Sequence, residues 1–229
     1  MTDHNELIVT LDGPAGVGKT TLARILAREL NIPYLDSGAM FRACAARLGN
    51  GSWTMDEHLL QQQLQTMVFS LNGDQAQSEL RLNDQPLDPM IRSEEIGIWA
   101  SNLGTLPVVR EFLKREQQSL AAHHPLVCEG RDMGSVVFPQ AQYKFFLDAT
   151  PEERARRRWK QLQEKGEVCD LELLTRDLIQ RDKQDRNRPI APLKPAPDAH
   201  LIDTTTLSLN QVVQSMLCLI RSGKPCSET

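Results

Sequence analysis

The residues most able to do chemistry lie near the start of the chain. Gly13-Pro14-Ala15-Gly16-Val17-Gly18-Lys19-Thr20-Thr21 fits G-x-x-x-x-G-K-[ST]. Glycines let a backbone wrap phosphate oxygens, so that its N–H groups and a following helix N-terminus hold negative charge. Lys19 reaches the β- and γ-phosphates of a nucleoside triphosphate, and the Thr20 or Thr21 hydroxyl serves Mg²⁺ directly or through water. With glycine at ~7% of an average sequence, a chance match in a chain of this length is roughly one in a hundred. Further along, Arg154, Arg157 and Arg158 are spaced i, i+3, i+4 and Arg181, Asp185 and Arg188 i, i+4, i+7, each set on one helical face. Residues 151–190 hold 11 of the 26 Lys and Arg, eight of them Arg, the side chain suited to bidentate phosphate pairing. Nine acidic residues in the same span allow a plain salt-bridged helix pair, but the phosphate loop upstream favours anion binding.

These residues need a scaffold. Leu7–Leu11 is a short apolar, β-branched run that stops at the glycines and predicts a buried strand; Thr20–Leu30 has helical apolar spacing. Pro33–Asp36 predicts a second strand, with Ser37-Gly38 opening a helix that carries Arg42. Met67–Leu87, with Asn72-Gly73 and Asn83-Asp84, predicts small antiparallel strands joined by turns, inserted between strands of the main sheet. Helices are predicted over Ile91–Leu103 and Pro107–Ala121, strands over Pro125–Glu129 and Tyr143–Asp148. Charged helices then cover Pro151–Lys165 and Leu171–Asp185, and a last strand (His200–Asp203) and helix (Leu209 to about Leu219) follow a Pro-rich loop. Alternation of this kind predicts an α/β fold, a parallel sheet with helices on both faces. Ligands in such a sheet bind at the carboxyl ends of the strands. That brings in Asp36-Ser37-Gly38, Glu129-Gly130-Arg131-Asp132 and Asp148. The chain so far resembles the P-loop kinases, whose typical sheet order sets the third main strand beside the first; that would bring Glu129 near Lys19 and Mg²⁺ and leave Asp148 a structural part.

The 229 residues suffice for one sizeable core, and 40% hydrophobic with 24% charged residues describes an ordinary globular chain. A net charge of −4 argues against nucleic acid or an anionic membrane as partner. No apolar run approaches the ~18 residues of a membrane span. The five cysteines are odd in number and form no C-x-x-C pair, which predicts neither a disulfide framework nor a structural zinc site and points to the cytoplasm. No coiled-coil seam stands out, so a monomer is expected. A guanine-selective GTPase would carry N-K-x-D, which is absent, and a motor would need more chain. A small kinase needs many positive charges around two anionic substrates, and these are present.

Gly13–Thr21, Leu35-Asp-Ser-Gly-Ala-Met-Phe-Arg42, Glu129-Gly-Arg-Asp-Met-Gly-Ser-Val-Val-Phe-Pro139, Phe146-Leu-Asp-Ala149 and Arg181-Asp-x-x-Asp-Arg-x-Arg188 together strongly resemble the bacterial cytidylate kinases, from about Leu7 to about Leu219. The G-R-D-M-G and R-D-x-x-D-R-x-R segments are the most specific. The resemblance implies a P-loop kinase three-layer sandwich with a five-stranded parallel sheet, an inserted monophosphate-binding domain with a small antiparallel sheet, and a short helical lid. One domain over about 7–221 would comprise core (1–36), monophosphate-binding region (37–104, with its antiparallel insert at about 67–92), core (105–153), lid (154–187) and core (188–229). The implied activity is phosphorylation of CMP and dCMP by ATP with Mg²⁺. Carried over by position, Gly13 to Thr21 hold ATP with Arg154, Arg157 and Arg158, while Thr20, Thr21 and Glu129 serve the metal. Arg42 and Arg131 hold the CMP phosphate; Ser37, Arg110 and Asp132 read cytosine; Ser101, Arg181 and Asp185 lie near the sugar. Arg188 joins that pocket at the phosphate or the base, and Lys19, Arg131, Arg158 and Arg188 carry the transfer. Ala15 and Thr20 replace the family's usual serine and glycine, and Glu129 its usual aspartate. The alternatives are another small-molecule P-loop kinase (for UMP, AMP, dephospho-coenzyme A or shikimate) and a nucleotide-binding protein without transfer. Neither is expected to combine both specific segments with Lys19 intact.

Overall fold

The computed structural model describes residues 7–73, 77–122, 124–164, 166 and 168–222. β1 (Ile8–Asp12) leads through the glycine-rich loop into α1 (Lys19–Leu30), then β2 (Tyr34–Asp36) and α2 (Ser37–Leu48). α3 (Glu57–Gln65), β3 (Phe69–Asn72), β4 (Glu79–Leu82), β5 (Gln85–Pro86), α4 (Glu94–Leu103) and α5 (Pro107–Ala121) follow. The chain returns to the main sheet as β6 (Leu126–Gly130) and β7 (Tyr143–Asp148), with α6 (Pro151–Glu164), α7 (Leu171–Asn187), β8 (His200–Asp203) and α8 (Leu209–Ser222) closing it. The main sheet has the order β2-β6-β1-β7-β8, all parallel, and the second is antiparallel, β3-β4-β5.

β1 lies at the centre of the sheet, so both its faces are covered, which is why it reads as an unbroken apolar run rather than an alternating one. Val9 and Leu11 pack with Leu22 and Leu26 of α1 and Val213 and Met216 of α8. On the opposite face Leu35, Leu126 and Cys128 meet Met40 of α2 and Leu113 of α5. The result is the expected three-layer sandwich. Helix boundaries follow local chemistry. Asp36 caps α2 by accepting from the Ala39 N–H at 2.9 Å, and Asp170 caps α7. Asn83 and Asp84 both have positive φ (50° and 61°), the geometry of a tight hairpin between β4 and β5.

Several details depart from the sequence expectations. The first strand runs to Asp12, so an acid sits on the buried central strand. Ile91–Leu103 is not one helix: Ser93 caps α4 after a 3-10 turn over Pro89–Arg92. A π-helical turn over Met133–Val137 follows β6 where no element was expected. Lys165, the expected end of a charged helix, lies outside the described residues. Cys44, Cys128 and Cys169 are free, but Cys218 is disulfide-bonded, contrary to the expectation from the cysteine count. No helix among the described residues is long and apolar enough to cross a membrane.

Candidate active site

The glycine-rich loop passes close to β7. Gly13 has φ 149°, and a Cβ there would stand 2.2 Å from the Leu147 carbonyl oxygen, so only glycine lets β1 turn out of the sheet here. Lys19 begins α1, is buried, and donates from Nζ to the Pro14 carbonyl at 2.7 Å. Burial and the neighbouring Arg131 pull its pKa down to about 7, against the opposing pull of Glu129 and Asp12. An ammonium in that condition is short of negative charge, which a triphosphate would supply.

β6 pairs with β1, so Glu129 stands opposite Leu11 and near Lys19, as the sheet order predicted. Its carboxylate accepts from the Tyr34 hydroxyl at 2.5 Å and faces the Thr20 hydroxyl. Burial raises the Glu129 pKa, with Asp36 adding to the rise and Lys19 opposing it. Thr20 is half-buried against this carboxylate, whereas Thr21 is exposed. These are oxygen donors only, one carboxylate and a hydroxyl. That set suits Mg²⁺, which keeps several waters and takes its remaining ligands from substrate phosphates.

The segment after β6 carries the second half of the site. Asp132 is buried, accepting from Arg110 Nη2 at 2.5 Å and from Arg188 Nη2 at 3.3 Å. Arg131 donates from Nε to Asp185 at 3.0 Å. Burial pushes the Asp185 pKa up, but Arg131 and Arg181 together hold it below the ordinary carboxylate value. Arg181 faces the same cleft; its Nε is buried with no hydrogen-bond partner among the described residues, and burial and Arg131 pull its pKa down to about 10. Ser37 Oγ donates to the Glu129 carbonyl at 2.6 Å. Arg42 donates to the Ile91 and Ser93 carbonyls at 2.9 and 2.8 Å, and Ser101 is half-buried on α4.

The three arginines of α6 share one helical face, but their guanidinium groups go to different partners. Arg154 is 2% exposed, and its donors go to the Ala149 and Ala15 carbonyls, both at 3.0 Å, and to Asp182 at 2.5 Å. The i, i+3, i+4 spacing holds, but this member ties the phosphate loop to α7 because its acid partner lies on that helix. Arg157 bonds Glu153 and Thr204, and Arg158 pairs with Glu94 at the start of α4. Asp148 pairs with Arg186 at 3.1 Å. Glu94, Thr204 and Tyr34 were not singled out from sequence; each acts through a partner far along the chain. No group of three or more potential His, Cys, Asp or Glu metal ligands occurs among the described residues.

A phosphate loop on the central strand of a parallel sheet, facing arginines from α5, α7 and the segment after β6, defines a P-loop phosphotransferase. The model of the family described as Cytidylate kinase matches residues 9–222. The chain is 52% identical to the cytidylate kinase of Oleidesulfovibrio alaskensis, covering 96% of this chain and 100% of that one. It is 55% identical to the cytidylate kinase of Nitratidesulfovibrio vulgaris strain Hildenborough (94% and 93%) and 45% identical to that of Vibrio cholerae (97% and 99%). The chain belongs to the cytidylate kinase family.

Proposed function

We infer that the protein transfers the γ-phosphoryl group of ATP to CMP and dCMP, giving CDP and dCDP, by direct in-line displacement. The observation that carries this reading is the buried Asp132 between Arg110 and Arg188, one strand away from Lys19. Cytosine differs from uracil by an N4 amino donor, and Asp132 offers the acceptor it needs. Facing the uracil carbonyl, the same carboxylate would set one acceptor against another with no hydrogen between them, at a cost of about 1–3 kcal/mol. Ser37 and Arg110 complete the base pocket, Ser101, Arg181 and Asp185 the sugar site, and Arg42 and Arg131 the acceptor phosphate site, with Arg188 beside them.

On the donor side the Gly13–Thr21 amides cradle the phosphates, and Lys19 neutralises the β- and γ-groups. Arg157 and Arg158 close over ATP, while Arg154 holds the loop in place. Mg²⁺ would be held by Thr20, with Thr21 and Glu129 reaching it through water, and when bound it neutralises the triphosphate. The acceptor oxygen is already a competent nucleophile, so no general base is required; positioning and charge neutralisation carry the rate. Residues 37–104 serve as the monophosphate-binding region and 154–187 as a lid whose closure excludes water as a competing acceptor. The enzyme is read as a cytoplasmic monomer acting on small nucleotides, without nucleic acid or membrane as partner.

The test is a comparison of CMP, dCMP, UMP and AMP as acceptors with ATP and Mg²⁺. CMP or dCMP should lead. UMP or AMP ahead of CMP by tenfold, about 1.4 kcal/mol in transition-state binding, would overturn the base-pocket assignment.

A further inference from the structure

Asp12 is a buried acid that none of these roles employs. It ends β1, is 4% exposed, and is joined by one peptide bond to Gly13, the first residue of the phosphate loop. Its two carboxylate oxygens accept from consecutive backbone amides, Met133 at 2.8 Å and Gly134 at 2.7 Å. Those are the first two amides of the π-helical turn over Met133–Val137, donors that a helix start leaves without an internal partner. The turn follows directly on Arg131 and Asp132. The β1–β6 ladder reaches only to Asp12 opposite Gly130, so past that point the pairing of strands no longer fixes where the chain goes. A second close approach lies alongside: a Cβ on Gly134 would stand 2.8 Å from Thr10 Oγ1 and 3.2 Å from the Lys144 side chain.

We propose that Asp12 is a positioning residue that sets the distance between the phosphate loop and the Arg131–Asp132 segment, and with it the in-line registration of donor and acceptor phosphates. A carboxylate suits the task because it offers two acceptors on one rigid fork to two adjacent N–H groups. An amide in its place keeps one acceptor and sets its own NH₂ against the other N–H. Each half of the site is also held independently. Arg131 and Asp132 are tied to Asp185, Arg110 and Arg188, and the phosphate loop is tied by Arg154 and by Lys19. Loss of the Asp12 tie therefore leaves two intact subsites at the wrong spacing. Displacement of reacting groups by about 1 Å costs up to a hundredfold in rate.

This inference rests on the CMP kinase reading, so the wild-type protein is assayed first with ATP and CMP. A wild type without that activity overturns the functional reading, and this proposal with it. With an active wild type, Asp12→Asn should lower kcat at saturating ATP and CMP by about tenfold to a hundredfold. The Kd values of ATP and CMP, titrated separately by calorimetry, should stay within about threefold, well under the change in rate. A residue that only stabilised the fold would lower the melting temperature and leave kcat unchanged at temperatures where the variant is folded; that result overturns the proposal. So does a loss confined to the CMP Kd. Should Asp12→Asn not fold, Gly134→Ala makes the same test by pushing the turn away from Thr10. It should lower kcat with both Kd values kept, and adding Thr10→Ala should restore most of the rate. An unchanged kcat in Gly134→Ala, or no recovery in the double variant, overturns the proposal.

Discussion

Asp132→Asn separates the observed ion-pairing of one carboxylate from the base recognition proposed for it. The Asp132 side chain is 5% exposed and its arginine partners Arg110 and Arg188 are 9% and 10% exposed, so all three are shielded from water. Removing one member of a buried ion pair costs about 3–5 kcal/mol, because it leaves the partner charge uncompensated. Asparagine keeps one neutral acceptor for one of the two guanidiniums, which points to the lower end, about 3 kcal/mol. A domain with an ordinary ~5–15 kcal/mol of stability still folds after that loss. The second part is discrimination. A carboxylate rejects the uracil carbonyl by about 1–3 kcal/mol, whereas an amide can turn its oxygen to cytosine or its NH₂ to uracil. The CMP-over-UMP ratio of kcat/KM should therefore fall to within about fivefold of unity, less than 1 kcal/mol of residual preference. Urea unfolding reads the first effect and steady-state kinetics on both acceptors the second. Reduced stability with an unaltered CMP-to-UMP ratio would refute the assignment of Asp132 to the base and leave it a structural partner of the two arginines.

Three further outcomes are expected. Lys19→Met should abolish transfer yet stabilise the free protein near neutral pH. The depressed lysine pKa of about 7 means the folded state binds fewer protons than the unfolded one above that value; the wild-type penalty is full below pH 7 and fades as pH rises toward 10.5, so the two stability curves should converge there. A wild type that matches or exceeds the variant in stability at pH 7 contradicts this. Asp185, held below its ordinary value, contributes stability above the unfolded pKa of 3.8 that is lost as pH falls through its lower folded pKa; Asp185→Asn should flatten that part of the acid-unfolding curve, and an unchanged acid limb counts against it. Glu94→Gln should release Arg158 and lower the KM for ATP by no more than about fivefold, since the pair is exposed and worth at most about 1 kcal/mol; the effect should shrink in high salt. A rise in KM would mean that Glu94 orients Arg158 rather than competing for it.

The sheet, the phosphate loop and the arginine clusters were legible because each leaves a local mark: an apolar run, a spaced glycine set, a helical period. Glu129 could be placed near Lys19 only through the strand order typical of P-loop kinases, to which the phosphate loop pointed. The arrangement of α6 was less legible. Spacing puts Arg154, Arg157 and Arg158 on one side of a helix, but which of them is buried depends on Asp182, twenty-eight positions away and on another element. Asp12 shows the same limit from the other side. An acid at the end of an apolar strand reads as the strand's end, and its purpose becomes visible only when two amides from beyond position 130 arrive at its oxygens. The π-helical turn has no sequence period of its own, so nothing marked it. Tyr34 and Thr204 likewise act across the sheet rather than along the chain.

The central position of β1 also has a consequence for how the chain folds. β1 forms its ladder with β6, and Ile8 pairs with Leu126, more than a hundred residues downstream. Closing a loop of that length costs entropy that grows only slowly with length, but the closure must precede any reward from the ladder, which makes such pairings slow to form. Everything from α1 to α5 is enclosed in that loop. The small antiparallel sheet and its helices have local contacts and can form before the closure. Lengthening or trimming β3–β5 should therefore change the refolding rate of the main sheet little, while a substitution that weakens the β1–β6 ladder should slow it. In kinetic terms the β3–β5 insert is a passenger within the closing loop.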